Sequence, residues 1–154
     1  MANTIHLISK EYLNPNEVSN TIEKVAQKLS YDVGKSYSQE YDIIEINLFK
    51  EGIEDYLSIS INCRPNHFND TFNNLYNIAE YGIMVSIDYG YEDILLIPFL
   101  RQILIEIPEL LVYSEETPKG IGSYVFNISH LENSSGTDSY ALLGNPPKDL
   151  SNLA

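Results

Sequence analysis

The residues of this chain that are best suited to chemistry lie in the stretch SIDYGYED, residues 86–93, where three carboxylates and two tyrosines surround a glycine. Carboxylates at this spacing could form a calcium loop, a catalytic acid–base pair or a protein-binding patch. A calcium loop centred on Gly90 would begin at Val85 and end at Leu96, and neither side chain can bind calcium. A catalytic pair needs two partly buried carboxyl groups in different environments, and a turn offers little burial. A protein-binding patch therefore fits the stretch best.

Acidic and tyrosine residues in predicted turns form the candidate binding surface. Tyrosine provides a large, rigid contact area, and carboxylates pair with lysine or arginine of a partner. We predict partner contacts from the following residues: Asp88, Tyr89, Tyr91, Glu92, Asp93, Glu115 and Glu116. The structural alternative is that the acids cap a helix and the tyrosines cover the edge of the core.

The other reactive side chains form no recognisable site. His6, His67 and His130 are far apart in the sequence and form no HExxH motif, so the donors for a zinc site are not grouped. Cys63 ends a predicted strand on its apolar side, which favours a small buried side chain over a nucleophile. The chain has no GxSxG, P-loop or GxGxxG motif. We predict no catalytic residue, no metal site and no cofactor.

Charge is the strongest feature of the composition. The chain has 22 acidic and 9 basic residues, a formal net charge of −13. Residues 51–118 contain two arginines against twelve acidic residues, a net charge of −10. Such a field repels nucleic-acid phosphates and attracts basic proteins. We therefore expect a basic protein partner and no direct binding of nucleic acid; the alternative is that the charge serves only solubility.

Hydrophobic periodicity predicts the elements that position these residues. Residues 4–9 fit a short strand, and residues 14–29 have the Asn–Pro start and the apolar spacing of a helix. Residues 41–49 and 56–63 alternate between apolar and polar side chains, which predicts a β-hairpin. Residues 68–79 carry a helical stripe.

A strand over residues 83–87 completes the order βαββαβ, which is that of a ferredoxin-like sheet. The segment 92–107 is either one helix kinked at Pro98, which we favour, or a strand over 92–97 followed by a helix that begins at Pro98.

The end of the chain predicts a hairpin and a tail. Residues 110–114 and 123–128 fit two strands around a Pro/Gly turn, and residues 133–154 are loop-like. We predict one α+β domain over residues 1–132, with a mixed or antiparallel sheet and two to three helices. A single cysteine, no signal-like start and no uninterrupted apolar run predict a cytoplasmic protein without a membrane span.

Size, acidity, a single cysteine and Tyr/Asp/Glu-rich turns resemble a known class, the immunity proteins of bacterial polymorphic and contact-dependent toxin systems. The resemblance implies an inhibitor without a cofactor that binds a basic toxin domain, in many cases a nuclease, and blocks its positively charged groove. Two other functions remain open: a small enzyme with Asp88, Glu92, His67 or His130 as acid or base, and a ligand-binding or scaffold domain.

Overall fold

The computed structural model describes residues 3–65, 68, 82–89, 95–114 and 124–126. They form seven strands and two helices in this order: β1 (Asn3–Ser9), α1 (Pro15–Lys28), β2 (Asp32–Ser38), β3 (Ile43–Lys50), β4 (Ile53–Asn62), β5 (Gly82–Tyr89), α2 (Leu96–Glu106), β6 (Leu111–Ser114) and β7 (Tyr124–Phe126). These strands form one sheet in the order β2-β3-β4-β5-β1-β6-β7, and all neighbouring strands are antiparallel. The described part of the chain is therefore an α+β fold with an antiparallel sheet, as the sequence predicts.

The core lies between one face of the sheet and the two helices, α1 and α2. One row of isoleucines shows how the strands are aligned. Ile46 of β3 lies opposite Ile59 of β4, and the row continues through Ile87 of β5 to Ile5 of β1. All four are at most 1% exposed, and burying a side chain of this size is worth about 1.5–3 kcal/mol. The alternation that predicted the β3–β4 hairpin is confirmed.

Helix α1 begins and ends as its sequence predicts. The side chain of Asn14 accepts hydrogen bonds from the backbone N–H groups of Asn16 and Glu17, at 2.9 and 3.2 Å. Pro15 occupies the first helical position, where its missing N–H costs nothing. The apolar stripe that includes Ile22 then packs into the core.

The predicted ferredoxin-like strand order is not confirmed. A split βαβ arrangement would place β1 between β4 and β5, whereas β1 pairs with β5 and β6, and β4 pairs directly with β5. The sequence also gave no prediction for β2, which lies at the edge of the sheet beside β3. Its residues, DVGKSYS, are mostly exposed, so they lack the apolar alternation that identifies a half-buried strand.

Helix α2 excludes the alternative in which a strand continues as far as residue 97 and the helix begins at Pro98. Residues 95–97 are not a strand, because the helix begins at Leu96. Pro98 is its third residue, and the N–H groups of a first helical turn have no carbonyl partner within the helix. Pro98 therefore removes no hydrogen bond, and the expected kink is not needed. Residues 92–94 lie outside the described residues.

Several predictions concern residues outside the described part of the chain. These are the helix over 68–79, apart from Phe68, and the tail over 133–154. Strands β6 and β7 pair in register, but residues 115–123 between them are not described, so the C-terminal hairpin stays a prediction. Neither described helix is long and apolar enough to cross a membrane.

Candidate functional site

The outer face of the sheet, defined as the face turned away from α1 and α2, carries an exposed aromatic pair. Phe49 of β3 lies opposite Tyr56 of β4, and the two side chains are 47% and 38% exposed. Their chain neighbours Leu48 and Leu57 are fully buried on the other face. Large aromatic side chains that remain exposed on two paired strands are typical of protein-binding surfaces.

Carboxylates surround the aromatic pair. Asp32 of β2 lies directly opposite Phe49, and Glu54 precedes Tyr56 by two positions on the same face of β4. Glu45 of β3 and Asp88 of β5 also point to the outer face, and all four carboxylates are exposed. They create a negative field around an apolar contact area.

No lysine or arginine lies on the outer face of strands β1 to β5. These strands contain two basic residues, Lys35 and Lys50, and both are directed to the helix side. The ammonium of Lys35 is 3.8 Å from the carboxylate of Glu23 in α1. The ammonium of Lys50 lies 5.8 Å from the ring centroid of Tyr31, which belongs to the core. The charge of the outer face is therefore not neutralised by these strands.

One end of the sheet, which we call the acidic end, is the end at which strands β3, β5 and β6 terminate. The strand register shows that β5 and β6 terminate beside the start of β1, because Tyr89 lies opposite Asn3 and Ser114 lies opposite Ile5. The exposed carboxylates here are those of Asp32, Glu51, Glu54 and Asp88. The predicted contact residues Tyr91, Glu92, Asp93, Glu115 and Glu116 lie outside the described residues, and they follow β5 and β6 in the chain.

Tyr89 corrects the sequence prediction. Its side chain is fully buried, so the expectation that it faces water is wrong. Strand β5 continues through Tyr89, and the alternation that buries Val85 and Ile87 buries Tyr89 as well. Asp88 faces outward as predicted, and its Oδ1 accepts a hydrogen bond from the hydroxyl of Thr4 at 2.5 Å.

Asp55 supports the acidic end from the core side. It is 4% exposed and accepts hydrogen bonds from the N–H groups of Tyr56 and Leu95, at 2.9 and 3.1 Å. The Tyr31 hydroxyl donates to the carbonyl of Leu95 at 3.0 Å. Burial, and then the charge of Asp55, raise the pKa of Tyr31 to about 12. These bonds hold the start of α2 against β4, beside Tyr56.

A contact between His6 and Ser86 could support nucleophilic chemistry. The His6 Nδ1 and Ser86 Oγ atoms are 2.9 Å apart on the outer face, and the His6 ring stacks on Tyr113 with a centroid distance of 6.0 Å. A serine nucleophile also needs N–H donors for the oxyanion. Strand β5 pairs with a neighbour on each side, so its backbone N–H groups are committed to the sheet.

A cleft of about 570 Å³ lies at the opposite end of the sheet from the acidic end. It is lined by the following residues: Pro15, Asn16, Lys35, Ser36, Tyr37, Ile44 and Cys63. Cys63 is half-buried and packs against the core, and burial followed by the charge of Asp42 raises the pKa of its thiol. The thiol stays protonated, which is unfavourable for a nucleophile. The described residues contain no cluster of three or more side chains suited to a metal ion.

The sequence contains the signal for the aromatic pair, although the prediction missed it. Phe49 and Tyr56 occupy the polar-face positions of the two alternating runs that predicted the hairpin. An aromatic residue at such a position is exposed, so each run indicates a surface aromatic side chain. Their proximity depends on the register, which a sequence pattern does not give. Searches find no family model and no curated protein that matches this chain.

Proposed function

We propose that this protein is an immunity-type inhibitor that binds and neutralises a basic toxin domain through the acidic end of its outer face. The observation that supports this function is the exposed pair Phe49 and Tyr56, surrounded by carboxylates on a face where strands β1 to β5 carry no lysine or arginine. The protein acts by occupancy in this proposal, with no catalytic step, cofactor or metal, and it works in the cytoplasm.

The aromatic pair and the carboxylates have different tasks in such an interface. Aromatic side chains at the centre of a contact supply most of the binding free energy when water is excluded from them. Carboxylates accelerate the encounter with a positively charged partner and fix its orientation. The positive groove of a nuclease, which normally holds phosphates, would match a surface that combines both.

One contact residue predicted from the sequence lies on this surface, and five others follow in the chain after strands that end beside it. Asp88 lies on the outer face, and β5 and β6 both end at the acidic end, immediately before the segments with Tyr91, Glu92, Asp93, Glu115 and Glu116. We retain these residues in the proposed interface. Tyr89 is left out, because its buried side chain makes no surface contact.

The decisive experiment is co-expression in a bacterial host with a basic toxin domain encoded by the adjacent gene. The wild-type chain should restore growth, and the double variant Phe49→Ala/Tyr56→Ala should fail to do so while its thermal unfolding remains close to that of the wild type. Lys24→Ala is the matched control, because this lysine is 61% exposed on α1, away from the outer face. Equal protection by wild type and double variant would remove the aromatic pair from the interface.

A small enzyme is the second candidate, and the contact between His6 and Ser86 favours it. Ser86 would act as nucleophile and His6 as base in acyl transfer. A fluorophosphonate probe tests this function directly, because an activated serine displaces fluoride and retains the phosphonyl group. If the probe labels the wild-type protein but not the Ser86→Ala variant, the enzyme function is supported. If the probe does not label the wild-type protein, the enzyme function is wrong.

A further inference from the structure

Strand β2 is an edge strand that remains open to water. It ends the sheet order on one side, and five of its seven residues are exposed. On its inner edge β2 pairs with β3 from Asp32 to Ser38 without a bulge. Within the described residues, no strand pairs with its other edge, where a row of backbone N–H and C=O groups faces outward.

Strand β2 has few of the features that usually prevent an edge strand from accepting another strand. It has no proline and no bulge. Lysine on an edge strand discourages pairing with another strand, but the one lysine of β2, Lys35, is directed to Glu23 of α1. Gly34 and Ser36, the outer-face positions at its centre, have small side chains or none. Within the described part of the chain, these outer-face side chains do not obstruct an extended segment at this edge.

The two faces beside this edge differ in chemistry. On the outer face, Asp32 of β2 and Glu45 of the neighbouring strand β3 are exposed. On the helix side, Val33 and Tyr37 are 39% and 55% exposed. A strand added to β2 would place alternate side chains beside carboxylates and beside these two apolar surfaces.

We propose that β2 accepts an extended segment of a basic protein as an added strand, with lysine or arginine on the outer face and apolar side chains beside Val33 and Tyr37. This inference rests on the proposed function, because it names how the basic partner is held. Backbone hydrogen bonds provide the attachment, and the alternation of cationic and apolar residues provides the selectivity. Charge complementarity favours this occupant over a second copy, since two copies would each bring a net charge of −13.

The test is a titration of isotope-labelled protein with a seven-residue peptide, Arg-Val-Arg-Val-Arg-Val-Arg, which matches the length of β2. Nuclear magnetic resonance should show shifts along β2 and slower hydrogen exchange of its outward N–H groups. A peptide with N-methyl groups at alternate residues loses one row of donors, and its affinity should fall by at least about tenfold. A peptide with glutamate in place of arginine should not bind.

The outcomes separate this inference from the proposed function. If the N-methylated and unmodified peptides bind equally, with shifts only at Phe49 and Tyr56, strand addition is wrong and the outer-face interface stands. No binding of the arginine peptide, or self-association of the protein through β2, also overturns strand addition. The growth experiment decides the inhibitor function independently, because it depends on the aromatic pair rather than on the peptide.

Discussion

The two ends of the sheet use polar residues in opposite ways. At the mixed end, where β2 and β4 end, polar groups bond to one another: the Tyr37 hydroxyl donates to Asp42, and the Arg64 guanidinium donates to the carbonyl of Glu40 at 3.2 Å. At the acidic end, Asp88 accepts a hydrogen bond from Thr4, but Asp32 and Glu54 form no ion pair with any residue that the structure describes. Groups that bond internally fix the chain, whereas exposed groups without internal partners remain available to another molecule.

The contrast holds although both ends contain acids and tyrosines. Tyr12, at the mixed end, donates to the carbonyl of Asn62 at 2.9 Å, and burial raises its pKa to about 12. Tyr56, at the acidic end, is 38% exposed on the outer face. Residue type alone therefore does not separate a tyrosine bonded within the fold from one exposed on the outer face; its position in the fold does.

The largest expected effect is a loss of stability when the buried carboxylate of Asp55 is removed. Asp55→Ala removes the acceptor for the N–H groups of Tyr56 and Leu95, and the buried N–H of Leu95 would stay unsatisfied. Hydrogen bonds to a charged group are worth about 1.5–3 kcal/mol each, so the free energy of unfolding should fall by about 3 kcal/mol. Urea unfolding measures the change. Glu40→Ala, at an exposed position of the mixed end, is the control, and a similar loss in both variants would contradict the special role of Asp55.

The next effect concerns alkaline pH. Tyr31 has a folded-state pKa of about 12 against 10.0 for an ordinary tyrosine. Between these values the unfolded chain has lost the phenol proton and the folded chain keeps it, so the free energy of unfolding falls as the pH rises from 10 to about 12. Tyr31→Phe should flatten this fall by up to about 2 kcal/mol, measured by urea unfolding across the range. If the free energy of unfolding of Tyr31→Phe falls with pH as steeply as that of the wild type, Tyr31 is not the cause of the fall.

Removing the aromatic pair should weaken binding without weakening the fold. Phe49→Ala/Tyr56→Ala should reduce the affinity for a cognate basic domain by about thirtyfold or more, since central aromatic residues contribute about 2 kcal/mol or more to an interface. Isothermal titration calorimetry measures this loss. The comparison variant is Tyr41→Ala, which truncates a 61% exposed tyrosine at the mixed end and should leave the affinity within about twofold. Equal losses would erase the distinction between the two ends.

The smallest expected effect is on the rate of association. Glu54→Lys reverses a charge at the acidic end, and Glu40→Lys makes the same change at the mixed end. The first should slow association with a basic domain by about fivefold at low salt, while the second should have little effect, because steering depends on the local field. Surface plasmon resonance at two salt concentrations tests this. Equal slowing would mean that net charge alone steers the partner.

Elements with a buried stripe could be predicted from the sequence. Helix α1 has a capping asparagine and apolar residues at helical spacing, and β3 and β4 alternate because one face is covered. Strand β2 escaped prediction because both of its faces are largely in water, so its existence depends on hydrogen bonds to β3 rather than on burial. The strand order likewise depends on contacts between distant segments, for which periodicity carries no signal.

The candidate surface combines the residue types that the sequence indicates, carboxylates and aromatic side chains, but only some of the predicted residues, and partner binding stays a prediction. An acidic surface with exposed aromatic groups was expected, and Asp88 lies on it. Tyr89 was misplaced because Gly90 indicates a turn, whereas the strand extends up to that glycine. Phe49 and Tyr56 come together only through the β3–β4 register, which their alternating runs imply but do not specify.

The β3–β4 register also bears on how such a protein could change its target. Because Leu48 and Leu57 face the helices while Phe49 and Tyr56 face water, the same two strands carry core positions and proposed contact positions in alternation. Substitution at the outward positions leaves the inward ones untouched. The proposed interface could therefore change its residues in the course of evolution while the core beneath it stays the same.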